Sequence, residues 1–308
     1  MLFNKDLNGS RELYELSGTF QASADFRSIE SELDSARNEV ASVIGEEVMA
    51  LAEQAYEADI PTEAQQLLAN AVRKPVAYLA ISRHARLNML SHGETGRKIK
   101  TDDNEKVPFE WMVDRDDREM RERYYRAMDL LLEYLEKQGL AEWSRSGCGF
   151  RQRSSIVRSL AAMEEVYPAD HSYYMYYKML PVMLEVQNTR LAGLVGTDTV
   201  NAILAGSAGE TVAATAVRYV VLHALVTAVK RWTLDAFPLS VSRRFSPTYQ
   251  GNRASSAASL KEIEWYLGNL LEQATEAEKD LVTAISGNPW KGARLVPDND
   301  PRKKYFTV

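Results

Sequence analysis

The chain has 308 residues, 45% hydrophobic and 26% charged, enough to build one large core or two of ordinary size. Its net charge of −6, with no block of like charges, argues against nonspecific duplex binding, which rests on a basic stripe. One cysteine, Cys148, excludes an internal disulfide and a cysteine-built zinc cluster. The opening MLFNKDLNGS has no basic region followed by an apolar run, so it does not read as a signal peptide. The most apolar stretch, 217–229, is interrupted by His223 and closed by Lys230 and Arg231, short of the roughly 18 uninterrupted residues of a membrane span. The expectation is a soluble protein made in the cytoplasm.

Residues 1–27 read as an irregular lead with a helical turn or two near 10–16. Ile29, Leu33, Ala36, Val40, Val43 and Ile44 then recur at helical steps and share one face. Gly45 ends that helix, because glycine adopts a left-handed cap without penalty. A shorter helix over 46–56 opens on Glu46 and Glu47, where the helix dipole favours acids. A central helix follows over 67–90, LLANAVRKPVAYLAISRHARLNML, with Pro75 expected to kink or restart it. Gly93 and Gly96 stop it. The pattern then predicts a β-hairpin over about 97–112, turning at Asp102-Asp103-Asn104-Glu105. Asp116 and Glu119 open a helix close to a capping box, with Met120, Tyr124, Ala127, Met128, Leu131 and Leu135 on one face. Gly139 closes it. Residues 141–153 carry glycines and arginines and read as a linker.

The pattern then starts again. A short helix over 154–166 leads to the aromatic run Tyr173, Tyr174, Tyr176, Tyr177, which reads as core plus contact surface. An amphipathic helix over 181–195 ends in Gly196, and a short helix spans 198–204. A second central helix runs over 212–232, VAATAVRYVVLHALVTAVKRW, with Val217, Val220, Val221, Ala224, Leu225, Ala228, Val229 and Trp232 on a broad face. Residues 238–258 are polar and aperiodic. Ser259 to Glu262 form a capping box before a last helix bearing Ile263, Leu267, Leu270, Leu271, Ala274, Leu281, Val282 and Ile285. Gly287-Asn288-Pro289 ends it, and 287–308 read as an extended tail.

Two features match in order. NEVASVIGEE, 38–47, aligns with TRLAGLVGTD, 189–198, in apolar positions, small residue and glycine; the two central helices share Ala-Val-Arg at Ala71-Val72-Arg73 and Ala216-Val217-Arg218. Order and spacing repeat over a distance close to the usual domain size. The expected architecture is mainly all-α: two tandem helical bundles related by duplication, at 1–140 and 154–286, with a small hairpin and the tail.

No motif carries catalysis. The four histidines, His84, His92, His171 and His223, lack metal-ligand spacing, and His223 falls on an apolar helix. His92 and Glu94 flank Gly93, without a third ligand. Cys148, between Gly147 and Gly149, has the exposed look of a nucleophile but no partner motif. Arg145, Arg151, Arg153 and Arg158 suit phosphate or an acidic neighbour as well as a solvated linker. The expectation is no catalytic, cofactor or metal site. What stands out is the non-helical matter: the hairpin, the 238–258 excursion and the tail. The candidate partner-contact residues there are Lys106, Phe109, Trp111, Tyr249, Trp290, Tyr305 and Phe306.

The opening Met-Leu-Phe, the Ile44-Gly45-Glu46-Glu47 joint, the central helix, Lys106-Val107-Pro108-Phe109-Glu110-Trp111 and the helix over 120–135 resemble an uncharacterised family of phages and prophages of the Bacteroidetes. That family is similar to the helical head–tail connector proteins of tailed phages. The resemblance implies a structural role without catalytic residues, in a ring beneath the portal. Its partners would be copies of itself and portal or tail proteins, in the host cytoplasm and then the virion. A cytoplasmic all-α binding or adaptor protein is the alternative, and an enzyme ranks last.

Overall fold

Apolar residues repeating at three and four positions become helices along most of this chain. The computed structural model describes residues 2–88, 90–93, 96–99, 109–231, 243–245, 255–257 and 260–287. It divides into two units. The first comprises Met1–Arg153, Ala169–Lys178 and Phe237–Ala257, the second Ser154–Pro168, Met179–Ala236 and Ala258–Val308.

In the first unit, α1 spans Gly9–Ser17, α2 Glu30–Ile44, α3 Glu46–Glu57 and α4 Glu63–Asn88. Helix α5 spans Glu110–Gln138, α6 Ala141–Arg145 and α7 Gly147–Ser154. The hub is α4, which packs against α1, α2, α3 and α5. Leu68, Val72, Val76 and Ala80, each four residues apart, are buried along it. Pro75 is buried inside α4 without dividing it. A proline there costs roughly 3 kcal/mol in an isolated helix; contact with four other helices offsets that.

Two expectations fail here. Between α4 and α5 a short antiparallel pairing joins β1, Leu90–Gly93, to β2, Gly96–Ile99, with Leu90 opposite Ile99. Strand β2 overlaps the expected first strand, 97–101, and its partner β1 lies upstream of the expected hairpin. Glu110, Trp111 and Met112, expected in its second strand, form the first turn of α5, and residues 100–108 lie outside the described residues. A short apolar run cannot be told apart as strand or helix by period alone. The expected linker over 141–153 is also helical. Trp143 is buried, its ring edge-on to Tyr177 at 5.1 Å between centroids. Gly149 lets α7 close on α6: a Cβ there would stand 2.4 Å from the Trp143 carbonyl oxygen. Loop-like composition here marks close backbone approach.

Residues of the aromatic run complete this unit. Asp129 of α5 accepts hydrogen bonds from the Tyr174 N–H (2.8 Å) and the Ser172 hydroxyl (2.9 Å), capping the start of α9, Tyr173–Val186. Burial pushes the Asp129 carboxyl up and these two bonds oppose it. The Tyr177 hydroxyl donates to Glu136 at 2.7 Å. Tyr174, Tyr176 and Tyr177 are all buried.

In the second unit, α8 spans Leu160–Glu164, and the later part of α9 continues through a π-helical turn, Gln187–Leu191, into α10, Ala192–Val195. Helices α11, Thr197–Leu204, α12, Glu210–Arg231, and α13, Leu260–Ser286, follow. A second short pairing, β3 at Arg243–Phe245 with β4 at Ser255–Ala257, falls between α12 and α13 in the chain and belongs to the first unit. Helix α13 buries Leu270, Ala274, Ala277 and Leu281 at steps of four, three and four, the seam spacing of a coiled coil, and packs chiefly on α12. Every residue of α12 from Tyr219 to Ala228 is buried. This is a ring of burial, wider than the expected face. Helix α12 is also long and apolar enough to cross a membrane by composition, and burial among its neighbours accounts for that apolarity.

Gly45 (φ 92°, ψ 146°) joins α2 to α3, and Gly196 (φ 82°, ψ 152°) joins α10 to α11. Positive φ is open to glycine at little cost, so both joints are glycine for the same reason.

Replacing Gly149 with Ala should cost about 1–3 kcal/mol through forced backbone shifts. Gly193→Ala, on a helical site with nothing within 4 Å, should stabilise by about 0.5–1 kcal/mol. Urea unfolding of both variants checks the contrast; equal effects would refute the close approach.

Candidate functional site

Residues 2–8 are strapped across the first unit by one cation. The Arg73 Nε of α4 donates to the Leu2 carbonyl at 2.9 Å, and Nη2 pairs with the Glu12 carboxylate of α1. The guanidinium lies over the rings of Phe3 (5.0 Å) and Tyr56 (4.6 Å). The Tyr56 hydroxyl donates to Glu12 at 2.9 Å and accepts from the Lys5 N–H at 2.8 Å. Burial, reinforced by Glu12 and opposed by the Lys5 N–H, pushes the Tyr56 phenol up to about 12. Lys5 Nζ donates to the Ala58 carbonyl at 2.8 Å and stands 3.4 Å from Asp59.

These ties fix what the strap presents. Leu7 has φ 59° and is 88% exposed; Ile60, just past the Lys5 anchor, is 93% exposed. Left-handed backbone costs a residue with a Cβ roughly 1–2 kcal/mol. A leucine held there with its side chain in water gains no apolar burial from its own fold.

Two clefts take strap residues into their lining. One, about 430 Å³, has Leu2, Phe3, Leu33 and Val76 at its base and Glu30, Asp34, Arg37 and Glu53 among its rim residues. Arg37 is neutralised by Glu46 (2.8 Å) and Glu53 (3.3 Å). The other, about 450 Å³, is lined by polar groups including Lys5, Arg11, Glu12, Glu15 and Arg73.

The second unit buries a different polar group. His223 of α12 accepts from Arg190 Nη1, 3.2 Å from its Nδ1, and its ring lies 4.3 Å from that of Tyr219. Because a guanidinium only donates, the neutral ring carries its proton on Nε2. That atom is buried without a hydrogen-bond partner among the described residues, 3.9 Å from the Glu278 carboxylate of α13. Burial, with Arg190 adding to it, brings the His223 pKa down to about 4. Arg190 lies in the π-helical turn, where Gln187 accepts from the Ile156 N–H (2.8 Å) and donates to the Ser154 carbonyl (3.0 Å).

Of the seven residues expected to contact partners, Phe109 is 67% exposed at the N-cap of α5, and Trp111 lies in the first turn of that helix. Lys106, Tyr249, Trp290, Tyr305 and Phe306 lie outside the described residues. Cys148 is not the exposed thiol expected: it is buried in α7, and burial raises its pKa against the influence of Arg151. Arg145 binds an acidic neighbour, Glu47, at 2.8 Å. His84 stands beside the Phe20 ring (5.8 Å) and bonds Asn88 (2.7 Å). Among the described residues no three His, Cys, Asp or Glu groups are arranged to hold a metal. Sequence reasoning missed Leu7, Ile60 and the Arg73–Glu12 pair. The signal available was two large aliphatics amid turn formers, in Asp6-Leu7-Asn8-Gly9 and Asp59-Ile60-Pro61.

Residues 40–152 are similar to a family of unknown function (DUF6712), a match running from the end of α2 through α7 within the first unit. No curated protein and no solved structure matches the chain.

The folded pKa of His223 lies below its unfolded value of 6.5, so the unfolded chain binds the extra proton between about 4 and 6.5. Stability from this group is full above pH 6.5 and falls as pH drops to about 4, by on the order of 3 kcal/mol. In His223→Gln that slope should disappear, as read by urea unfolding at several pH values; parallel profiles for the two proteins would refute it.

Proposed function

We propose that this chain is a structural protein of a tailed phage or prophage, of the head–tail connector type, that works by gripping copies of itself and portal or tail proteins. The observation that carries the reading is the strap: a largely desolvated cation ties down residues 2–8, Leu7 stands in water on a left-handed backbone, and Ile60 is exposed close by the Lys5 anchor. A leucine and an isoleucine of that exposure gain stabilisation only when another protein covers them. Ordering them in advance lowers the entropy lost on assembly. The protein is made in the host cytoplasm and carried into the virion.

Internal duplication belongs to the same reading. Each half has a helix–glycine–helix joint of one conformation, then a central helix bearing Ala-Val-Arg, a short strand pairing and a long helix. A duplicated chain carries two related helical bodies, which suits a part with two different neighbours.

The test is co-assembly. The purified chain, mixed with portal and tail-completion proteins from the same genome, should sediment in a multi-subunit particle. Leu7→Asp with Ile60→Asp should weaken that association at least ten-fold while stability stays within about 0.5 kcal/mol, as at ordinary surface sites. Aspartate tolerates positive φ better than leucine, so the fold is spared. A chain that remains monomeric beside all of these proteins would overturn the reading.

A further inference from the structure

The 430 Å³ cleft beside the strap has a chemistry of its own. Glu30, Leu33, Asp34 and Arg37 recur on α2 at helical steps and so share one face, over the buried Phe3 and Val76. Arg37 is matched by its acidic partners Glu46 and Glu53. The carboxylates of Glu30 and Asp34 have neither an ion pair nor a hydrogen bond among the described residues. The cleft is therefore an apolar base beneath two uncompensated carboxylates. Its size is near the lower end for ligand sites, about 300–1,000 Å³. That suits a ring and a cationic stem and excludes a whole helix. The complement is a short segment in which cations adjoin aromatic rings.

The chain contains such a segment. Residues 302–306 read Arg302-Lys303-Lys304-Tyr305-Phe306, three cations followed by two aromatic rings, in a protein whose net charge is −6. We propose that the cleft formed by α2 and the strap binds residues 302–306 of a second copy of this chain. Glu30 and Asp34 meet the cations, and an aromatic ring covers the apolar base. The inference rests on the assembly reading above and names the surface by which copies join. Opposite charges speed and orient the encounter, and the aromatic contact slows its reversal.

Charge exchange tests it. One full-length variant carries Glu30→Lys and Asp34→Lys; a second carries Arg302→Glu, Lys303→Glu and Lys304→Glu. Circular dichroism and thermal unfolding verify that both fold. By sedimentation equilibrium the unaltered chain should self-associate, less so as salt rises from about 0.05 to 0.5 M. Each variant alone should associate at least ten-fold more weakly. Mixed together, the first supplies an intact segment and the second an intact cleft, so association between the two should return. Variants that associate like the unaltered chain would overturn the proposal. So would a chain with all five changes that recovers stability while the mixture does not associate, since the segment would then bind its own copy. If the mixture behaves as expected but no portal or tail protein joins, the connector role fails and this contact stands. If neck proteins join and neither variant matters, the contact fails alone.

Discussion

The Arg73 guanidinium is the group on which the outer layer of the first unit depends. Its side chain is 12% exposed and that of Glu12 is 19% exposed, so both charges are largely out of water. A pair so desolvated contributes little net stability compared with apolar packing, yet loss of one partner leaves the other charge uncompensated at a cost of roughly 3–5 kcal/mol. Here the pair is also a specificity device. Arg73 reaches α1 through Glu12, the strap through the Leu2 carbonyl, and α3 through the Tyr56 ring. One side chain thus sets three elements against α4. A lysine would keep the charge and lose the flat cation that bonds at its edge while stacking on its faces.

The arginine in the second Ala-Val-Arg triplet does different work. Arg218 sits in the same Ala-Val-Arg triplet, but it is 39% exposed and pairs with Asp280 (2.8 Å) and Glu276 (3.4 Å) of α13. Such exposed pairs contribute at most about 1 kcal/mol. The second unit depends instead on the apolar belt of α12 against the regular seam of α13. Polar ties organise the first unit, and apolar enclosure organises the second.

Much of the fold was legible because helices advertise themselves by period. The faces of α2, α5 and α13, the glycine joints and the central position of α4 and α12 all follow from three- and four-residue spacing. Three kinds of information were not local. Trp111 and Met112 join a helix although a strand fits their short apolar run equally well. The segment 141–153 reads as loop by composition, yet its glycines mark close packing. The strap is the clearest case: nothing near Leu2 indicates a bond to a residue 71 positions away. The candidate site suffers most from this, since its geometry comes from residues 2–8, 12, 30–37, 53–60 and 73, which no periodic pattern links.

Exposure and strain at Leu7 are coupled to the tightness of the knot that holds them. Were the strap free to relax, Leu7 would leave the left-handed region and turn toward the protein, gaining roughly 1–2 kcal/mol of backbone energy and some apolar burial. The bonds from Asn4 to Glu12 (3.2 Å), from Gly9 to Asn4 (3.0 Å) and from Lys5 to Tyr56 (2.8 Å) act against that relaxation. Each is worth only about 1 kcal/mol net, and together they outweigh the strain. The same bonds position Leu2 and Phe3 at the base of the cleft beside α2. The exposed leucine and the cleft are therefore two outcomes of one constraint, and any change that loosens Arg73 must alter both together.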